Sequence, residues 1–101
     1  MGAFVFLVSA AKRATVMEEK IGVVTDYLDR AGVAVIQLTD GDLRRGDRVR
    51  IAGRRTELTQ AVESLQILHQ PVEQALRGSE VAMKVTDPVR RHDQVFRVRD
   101  G

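Results

Sequence analysis

The chain has 101 residues, 44% of them hydrophobic, which suits one small domain. It contains no cysteine, which excludes disulfides and thiolate metal sites and favours a reducing, cytoplasmic compartment. The formal charge of +2 is mild, and aromatic residues make up only 4% of the chain, too few for an extended surface that stacks single-stranded bases. The longest apolar run, residues 3–8, is far shorter than the roughly 20 residues of a transmembrane helix.

The first 16 residues differ in pattern from the rest of the chain. They show no clear alternation, whereas a strong strand pattern begins after Met17. Residues 1–16 are either a strand or short helix docked on the domain, or an extension upstream of a natural start at Met17. Because chain termini are poorly ordered unless they are tied down, we expect a loosely attached extension over residues 1–16 and a domain over residues 17–101.

Residues 20–38 predict a β-hairpin. Residues 20–28 and 32–38 are both rich in β-branched side chains, and only three residues separate them. Both runs carry apolar residues on both faces, so we expect the two strands at the centre of a sheet.

The segment 47–53 alternates cleanly and predicts a strand. Val49 and Ile51 are expected to face the core, and Arg48 and Arg50 to face outward. The composition of the preceding residues, with two aspartates and a glycine, predicts a turn.

The next predicted strand, residues 57–68, contains a break in its alternation. Apolar residues up to Val62 share one phase, and those from Leu65 onward share the other. A period-two pattern that slips by one residue predicts a β-bulge near residues 63–64. A helix is the alternative, and Pro71 argues against it because proline interrupts a helix interior.

Two further strand patterns, over residues 77–85 and 94–98, complete the chain. Six or seven short strands divided by turn signals are typical of a small barrel. The predicted fold is therefore all-β, a small closed antiparallel β-barrel of about six strands.

One short pattern occurs more than once. Residues 43–49 and 89–95 share an apolar residue, two arginines, a turn position, an aspartate and a strand, and residues 76–81 form a fainter copy. The aspartate is expected to bond nearby backbone amides and close the turn. Gly46 suits a positive φ at the turn position, and His92, which replaces glycine in the second copy, tolerates that conformation better than most residues.

Residues 32–53 resemble domain II of the translational GTPases, the β-barrel of elongation factor Tu. The family pattern Gly-x-Leu-x-x-Gly-Asp-x-Val-x-Ile-x-Gly is present here as Gly41, Leu43, Gly46, Asp47, Val49, Ile51 and Gly53. The resemblance extends over roughly residues 20–99, with His92 in place of the last glycine. More narrowly, the chain resembles small translation elongation factor-like proteins and the C-terminal barrel of collagenase-like peptidases.

This resemblance implies a non-catalytic binding module related to translation or RNA metabolism. The phosphate loop Gly-x-x-x-x-Gly-Lys-[Ser/Thr] is absent from the sequence, so no nucleotide is expected. The alternative is a protein-interaction barrel that docks on a peptidase-like or ribosome-associated partner without binding nucleic acid. The resemblance carries over no catalytic residue.

Residue patterns that support catalysis are sparse. The sequence has no Gly-x-Ser-x-Gly nucleophile motif, and its two histidines, His69 and His92, lack the spacing to acidic residues that a metal site needs. His69 is interpreted as a turn or edge residue. Asp40 and Asp42 flank a glycine and suit a turn better than acid–base chemistry. We therefore expect no enzymatic activity, no metal and no cofactor.

Arginines concentrate in residues 44–55, and folding leaves them unexplained. The predicted RNA-binding residues are Arg44, Arg45, Arg48, Arg50, Arg54 and Arg55. If Arg48 and Arg50 share one strand face, their Cα atoms lie about 7 Å apart, near one phosphate spacing along a strand of tRNA or rRNA. The alternative is a solvated face whose arginines pair with carboxylates, namely Glu57, Glu63 or Asp93.

Overall fold

The computed structural model describes residues 3–7 and 15–100, and the side chains of residues 17–99. The strands are β1 (Ala3–Leu7), β2 (Thr15–Leu28), β3 (Val33–Leu38), β4 (Leu43–Arg44), β5 (Arg48–Ala52), β6 (Glu57–Ala61), β7 (Leu65–Ile67), β8 (Gln70–Pro71), β9 (Gln74–Ala75), β10 (Glu80–Lys84) and β11 (Gln94–Asp100). Within these residues there is no helix with the length and apolar character needed to cross a membrane. The predicted all-β antiparallel fold is confirmed.

In the described part of the chain, nine strands form one sheet in the order β6-β5-β11-β2-β3-β10-β7-β8, with β1 alongside β2, and β4 pairs separately with β9. The predicted hairpin is confirmed, since Leu28 pairs with Val33 and the Gly32 amide donates to the Leu28 carbonyl at 2.8 Å. Its strands, β2 and β3, lie in the middle of the order as predicted.

β1 lies against the beginning of β2, with Ala3 opposite Glu19 and Leu7 opposite Thr15. The predicted N-terminal extension also includes residues 1–2 and 8–14, which lie outside the described residues. The division of the chain at Met17 stays a prediction.

The sheet formed by the described residues is not closed into a barrel, so the prediction of a closed barrel of about six strands is wrong. Instead of a backbone ladder, the Gln60 side chain links β6 to the end of β10. Its Nε2 donates to the Lys84 carbonyl at 2.8 Å, and its Oε1 accepts from the Thr86 amide at 2.8 Å. One side-chain amide thus supplies a donor and an acceptor where a continuous ladder would use a peptide group.

The predicted bulge near residues 63–64 is a break between two strands. β6 ends at Ala61 at one end of the sheet order, and β7 begins at Leu65 beside β10, near the other end. Val62 and Leu65 are both buried, so the two predicted phases are retained. The break in the apolar alternation therefore lies where the chain crosses from β6 to β7.

The core is built from apolar side chains of nearly every strand. Its largest fully buried members include Ile21, Ile36, Leu38, Leu43, Ile51, Leu65 and Met83. Burial of each such side chain contributes about 1.5–3 kcal/mol. In β5, Val49 and Ile51 are buried while Arg48 is exposed and Arg50 is half-buried, which confirms the predicted inward and outward faces.

The repeated turn is built in the same way in its two clearest copies. The Asp47 carboxylate accepts from the Arg44 amide at 2.9 Å, and the Asp47 amide donates to the Arg44 carbonyl at 3.1 Å. In the second copy, Asp93 makes the same two contacts with Arg90, at 2.8 and 3.1 Å. The predicted role of the aspartate in closing the turn is confirmed.

The third copy is shifted by one residue from its predicted position. Ala75 is buried and Leu76 is 58% exposed, so Ala75 is the apolar anchor of this turn. The Leu76 carbonyl accepts from the Ser79 amide at 3.0 Å, which is the turn-closing bond of the other copies. The φ angles at the turn position are 92° at Gly46, 97° at Gly78 and 76° at His92.

Alanine at Gly46 or Gly78 tests the backbone alone, because a Cβ at either position would meet nothing within 4 Å. We expect each variant to lose about 1 kcal/mol of unfolding free energy, since a left-handed backbone disfavours any Cβ. His92→Gly should raise the unfolding free energy by up to about 1 kcal/mol for the same reason. Urea denaturation followed by circular dichroism measures all three, and an unchanged Gly46→Ala variant would contradict the account of the turn.

Candidate functional site

The predicted arginines fall into groups with different surroundings. Arg50 is held in a network of carboxylates, and Arg45 pairs with Glu73 at 2.7 Å in an exposed contact. An exposed pair of this kind contributes little to stability. Arg44 and Arg48 are exposed and form no ion pair with a described residue, whereas Arg54 and Arg55 line a cleft.

Arg50 joins four neighbouring strands. Its Nε and Nη2 donate to the two carboxylate oxygens of Glu18 on β2, at 2.7 and 2.9 Å. Its Nη1 donates to Glu57 on β6 at 3.0 Å, and its guanidinium carbon lies 4.9 Å from the centre of the Phe96 ring on β11. The hydrogen bonds to Glu18 raise the pKa of the Arg50 guanidinium and outweigh the opposite effect of burial. Arg50 therefore stabilises the sheet, and of its partners only Glu57 is predicted from the sequence.

A second structural arginine, Arg97 on β11, is absent from the predicted site. Its Nη2 donates to Glu19 at 2.7 Å, and its Nη1 donates to the Asp42 carbonyl at 2.8 Å. The Asp42 carboxylate accepts from the Arg77 amide at 2.7 Å, a contact between two loops, so its predicted role in a local turn stays a prediction. These contacts join the turn after β3 to β11 and to the loop before β10.

A cleft of about 670 Å³ lies where the turn after β5 meets the turn before β11. The two turns are neighbours because Ala52 pairs with Gln94 in the β5–β11 ladder. Gly53 lies so close to Asp93 that a Cβ there would overlap the carboxylate. The residues that line the cleft are Ala52, Gly53, Arg54, Arg55, Arg90, Arg91, His92, Asp93 and Gln94.

Four guanidinium groups therefore line one cleft with a single carboxylate. Arg91 lies 3.8 Å from the half-exposed Asp26, and the other three arginines form no ion pair with a described residue. The Asp93 carboxylate is buried and is engaged by the backbone of its own turn. Because guanidinium groups present paired donors, this cleft can bind a carboxylate or phosphate anion.

The sequence-based prediction omits Arg90, Arg91 and His92 from the site. The sequence feature that could have identified these three residues is the repeat, since residues 89–95 duplicate the arginine-rich turn of residues 43–49. The register of β5 against β11 decides which arginines meet, and the sequence pattern does not contain that register.

The histidine and acidic side chains are the groups that could form a catalytic or metal-binding arrangement. His69 lies in the two-residue turn between β7 and β8 with φ 65°, which confirms its interpretation as a turn residue. Among the residues that the structure describes, no cluster of three or more histidine, aspartate and glutamate side chains could hold a metal ion.

No family model matches the chain. It is 35% identical over 82 residues to an uncharacterised protease of Methanocaldococcus jannaschii, and 35% identical over 72 residues to a collagenase of Porphyromonas gingivalis. These alignments cover 80% and 70% of this chain and 20% of each relative. The chain thus spans about a fifth of the length of these curated relatives.

Two solved structures of one domain also match. Both are the C-terminal domain of a candidate U32 peptidase from Geobacillus thermoleovorans. One has a TM-score of 0.72 at 25% identity and covers 76% of this chain and 96% of that domain. The other has a TM-score of 0.69 at 24% identity, with coverage of 81% and 91%.

These comparisons correct the assignment to translation factors. The relatives are a protease, a collagenase and a peptidase domain, so the predicted translation elongation factor-like identity and its RNA-binding role are wrong. The residues that carried the resemblance explain the error, because Leu43 fills the core, Gly46 takes a positive φ and Asp47 closes a turn. Such a turn serves folding whatever the protein binds. The relatives belong to the class named in the narrower resemblance, that of collagenase-like peptidases.

Glu18→Ala tests whether the Arg50 network stabilises the sheet. The Glu18 side chain is only 10% exposed, and its removal leaves a half-buried guanidinium without its two-pronged partner. We expect a loss of about 2–3 kcal/mol of unfolding free energy. The control is Glu57→Ala, which removes a 65% exposed partner of the same arginine and should cost less than about 0.5 kcal/mol. Equal losses in urea denaturation would contradict the central role of Glu18.

Proposed function

We propose that this chain is a non-catalytic docking module that binds a peptidase-like catalytic domain. The observation that carries the proposal is the match to a domain which is itself the C-terminal part of a candidate U32 peptidase, 96% of which is covered. The protease and collagenase relatives support it, because the matched segment is a fifth of each protein and leaves most of its length for other domains.

The commitment of buried and half-buried acidic groups to the fold also supports a binding role. Glu18 and Glu19 bind the guanidinium groups of Arg50 and Arg97, and Asp93 accepts from a backbone amide. A carboxylate whose oxygens are held in such contacts is positioned for the fold and not for contact with a substrate. The exposed arginines of the cleft are among the groups that remain available for a partner.

Capture from a lysate of the source organism tests this function with the full chain as bait. We expect near-stoichiometric recovery of a protein that resembles the collagenase relatives outside their matched segment, and recovery that persists after ribonuclease treatment. A Val49→Asp bait, which places a charge in the fully buried core, controls for adsorption to unfolded protein.

Two results would overturn the proposal. One is reproducible capture that contains no peptidase-like protein, or that depends on RNA. The other is cleavage of gelatin by the purified chain alone, since a docking module should leave this substrate intact.

A further inference from the structure

The cleft between the two turns gathers positive charge that the fold does not use. Arg50 and Arg97 show how the fold uses an arginine, with carboxylates bound at 2.7 Å and the side chain largely buried. Arg54, Arg55 and Arg90 are instead exposed and form no ion pair with a described residue. Like charges brought together repel each other, and an anion bound among them would relieve that repulsion.

His92 is the second feature of the cleft, because it occupies a turn position that glycine would fill with less strain. It holds a left-handed backbone with φ 76°, where the other two copies of the turn have glycine. The residue is exposed, so burial of its ring does not offset the strain. Backbone strain of this kind is concentrated at functional sites, and the imidazole adds a hydrogen-bond donor beside the guanidinium groups that line the cleft.

Protein carboxylates are favoured over nucleic acid because the relatives of the chain are a protease, a collagenase and a peptidase domain. The lining has no phenylalanine, tyrosine or tryptophan, so a base could stack only on His92 or on a guanidinium plane. A volume of about 670 Å³ can receive a few side chains of a peptide. The same molecule already contains a bidentate contact between a guanidinium group and a carboxylate, in the two hydrogen bonds between Arg50 and Glu18.

We propose that the cleft lined by Arg54, Arg55, Arg90 and Arg91 binds an acidic segment of the peptidase-like partner. This inference rests on the proposed function and names the chemistry of its contact. Two or more glutamate or aspartate side chains would replace the missing counter-charges of the cleft. His92 would donate a further hydrogen bond at its rim.

A blocked, fluorescently labelled hexaglutamate peptide tests the cleft without any partner. Fluorescence anisotropy measures its binding to the full chain at low salt, where such contacts are strongest. We expect Arg54→Gln/Arg90→Gln to weaken binding by about tenfold, because two charge-assisted contacts are lost. The control, Arg30→Gln/Arg77→Gln, removes the same charge from exposed positions outside the lining and should change affinity by less than about twofold.

Hexauridylate, with a similar number of negative charges, is the second probe. Tighter binding of hexauridylate than of hexaglutamate would overturn the proposal in favour of nucleic acid. Equal weakening in the two double variants, or no hexaglutamate binding, would also overturn it. Thermal melts of both variants establish that they are folded.

The same variants used as capture baits separate this proposal from the proposed function. Loss of the peptidase-like protein with Arg54→Gln/Arg90→Gln alone supports the cleft as the contact. Undiminished capture by that bait would retain the docking function and overturn the cleft as its site.

Discussion

The two-pronged ion pair between Arg50 and Glu18 is the contact on which the arrangement of the sheet depends. Arg50 on β5 passes over Phe96 on β11 to reach Glu18 on β2, and it also holds Glu57 on β6. One side chain thus joins four adjacent strands of a sheet that no backbone ladder closes. A domain of this size buries a modest fraction of its surface, so a single cross-strand contact of this kind has a large share in its stability.

The position of the cleft follows from the same strands. β5 and β11 each begin after a copy of the repeated turn, and they pair antiparallel. The end of β5 therefore lies beside the turn that precedes β11. Gly53 allows the close approach of Asp93, which brings Arg54 and Arg55 to Arg90 and Arg91. The register of β5 against β11 thus forms the cleft. It brings together two arginine-rich segments that are about 35 residues apart in the chain.

Features that depend on neighbouring residues could be predicted from the sequence, and features that depend on distant ones could not. The hairpin of β2 and β3, the two faces of β5 and the closure of the turn by Asp47 all follow from local patterns. The open sheet, the crossing after Val62 and the partnership of Arg50 with Glu18 depend on which strands meet. The translation-factor assignment failed for a related reason, because its motif records how a strand begins and contains no information about a partner.

Arginines with internal partners and arginines without them therefore have different physical roles. Arg50 and Arg97 gain stability from carboxylates, whereas the cluster at the cleft reduces it by mutual repulsion and His92 reduces it further by strain. A thin margin of stability can tolerate such features only where other contacts offset them, and the ion pair of Arg50 with Glu18 is one such contact. Carboxylates of a partner would attract the arginines of the cleft and offset their mutual repulsion, so the bound domain should be more stable than the free one.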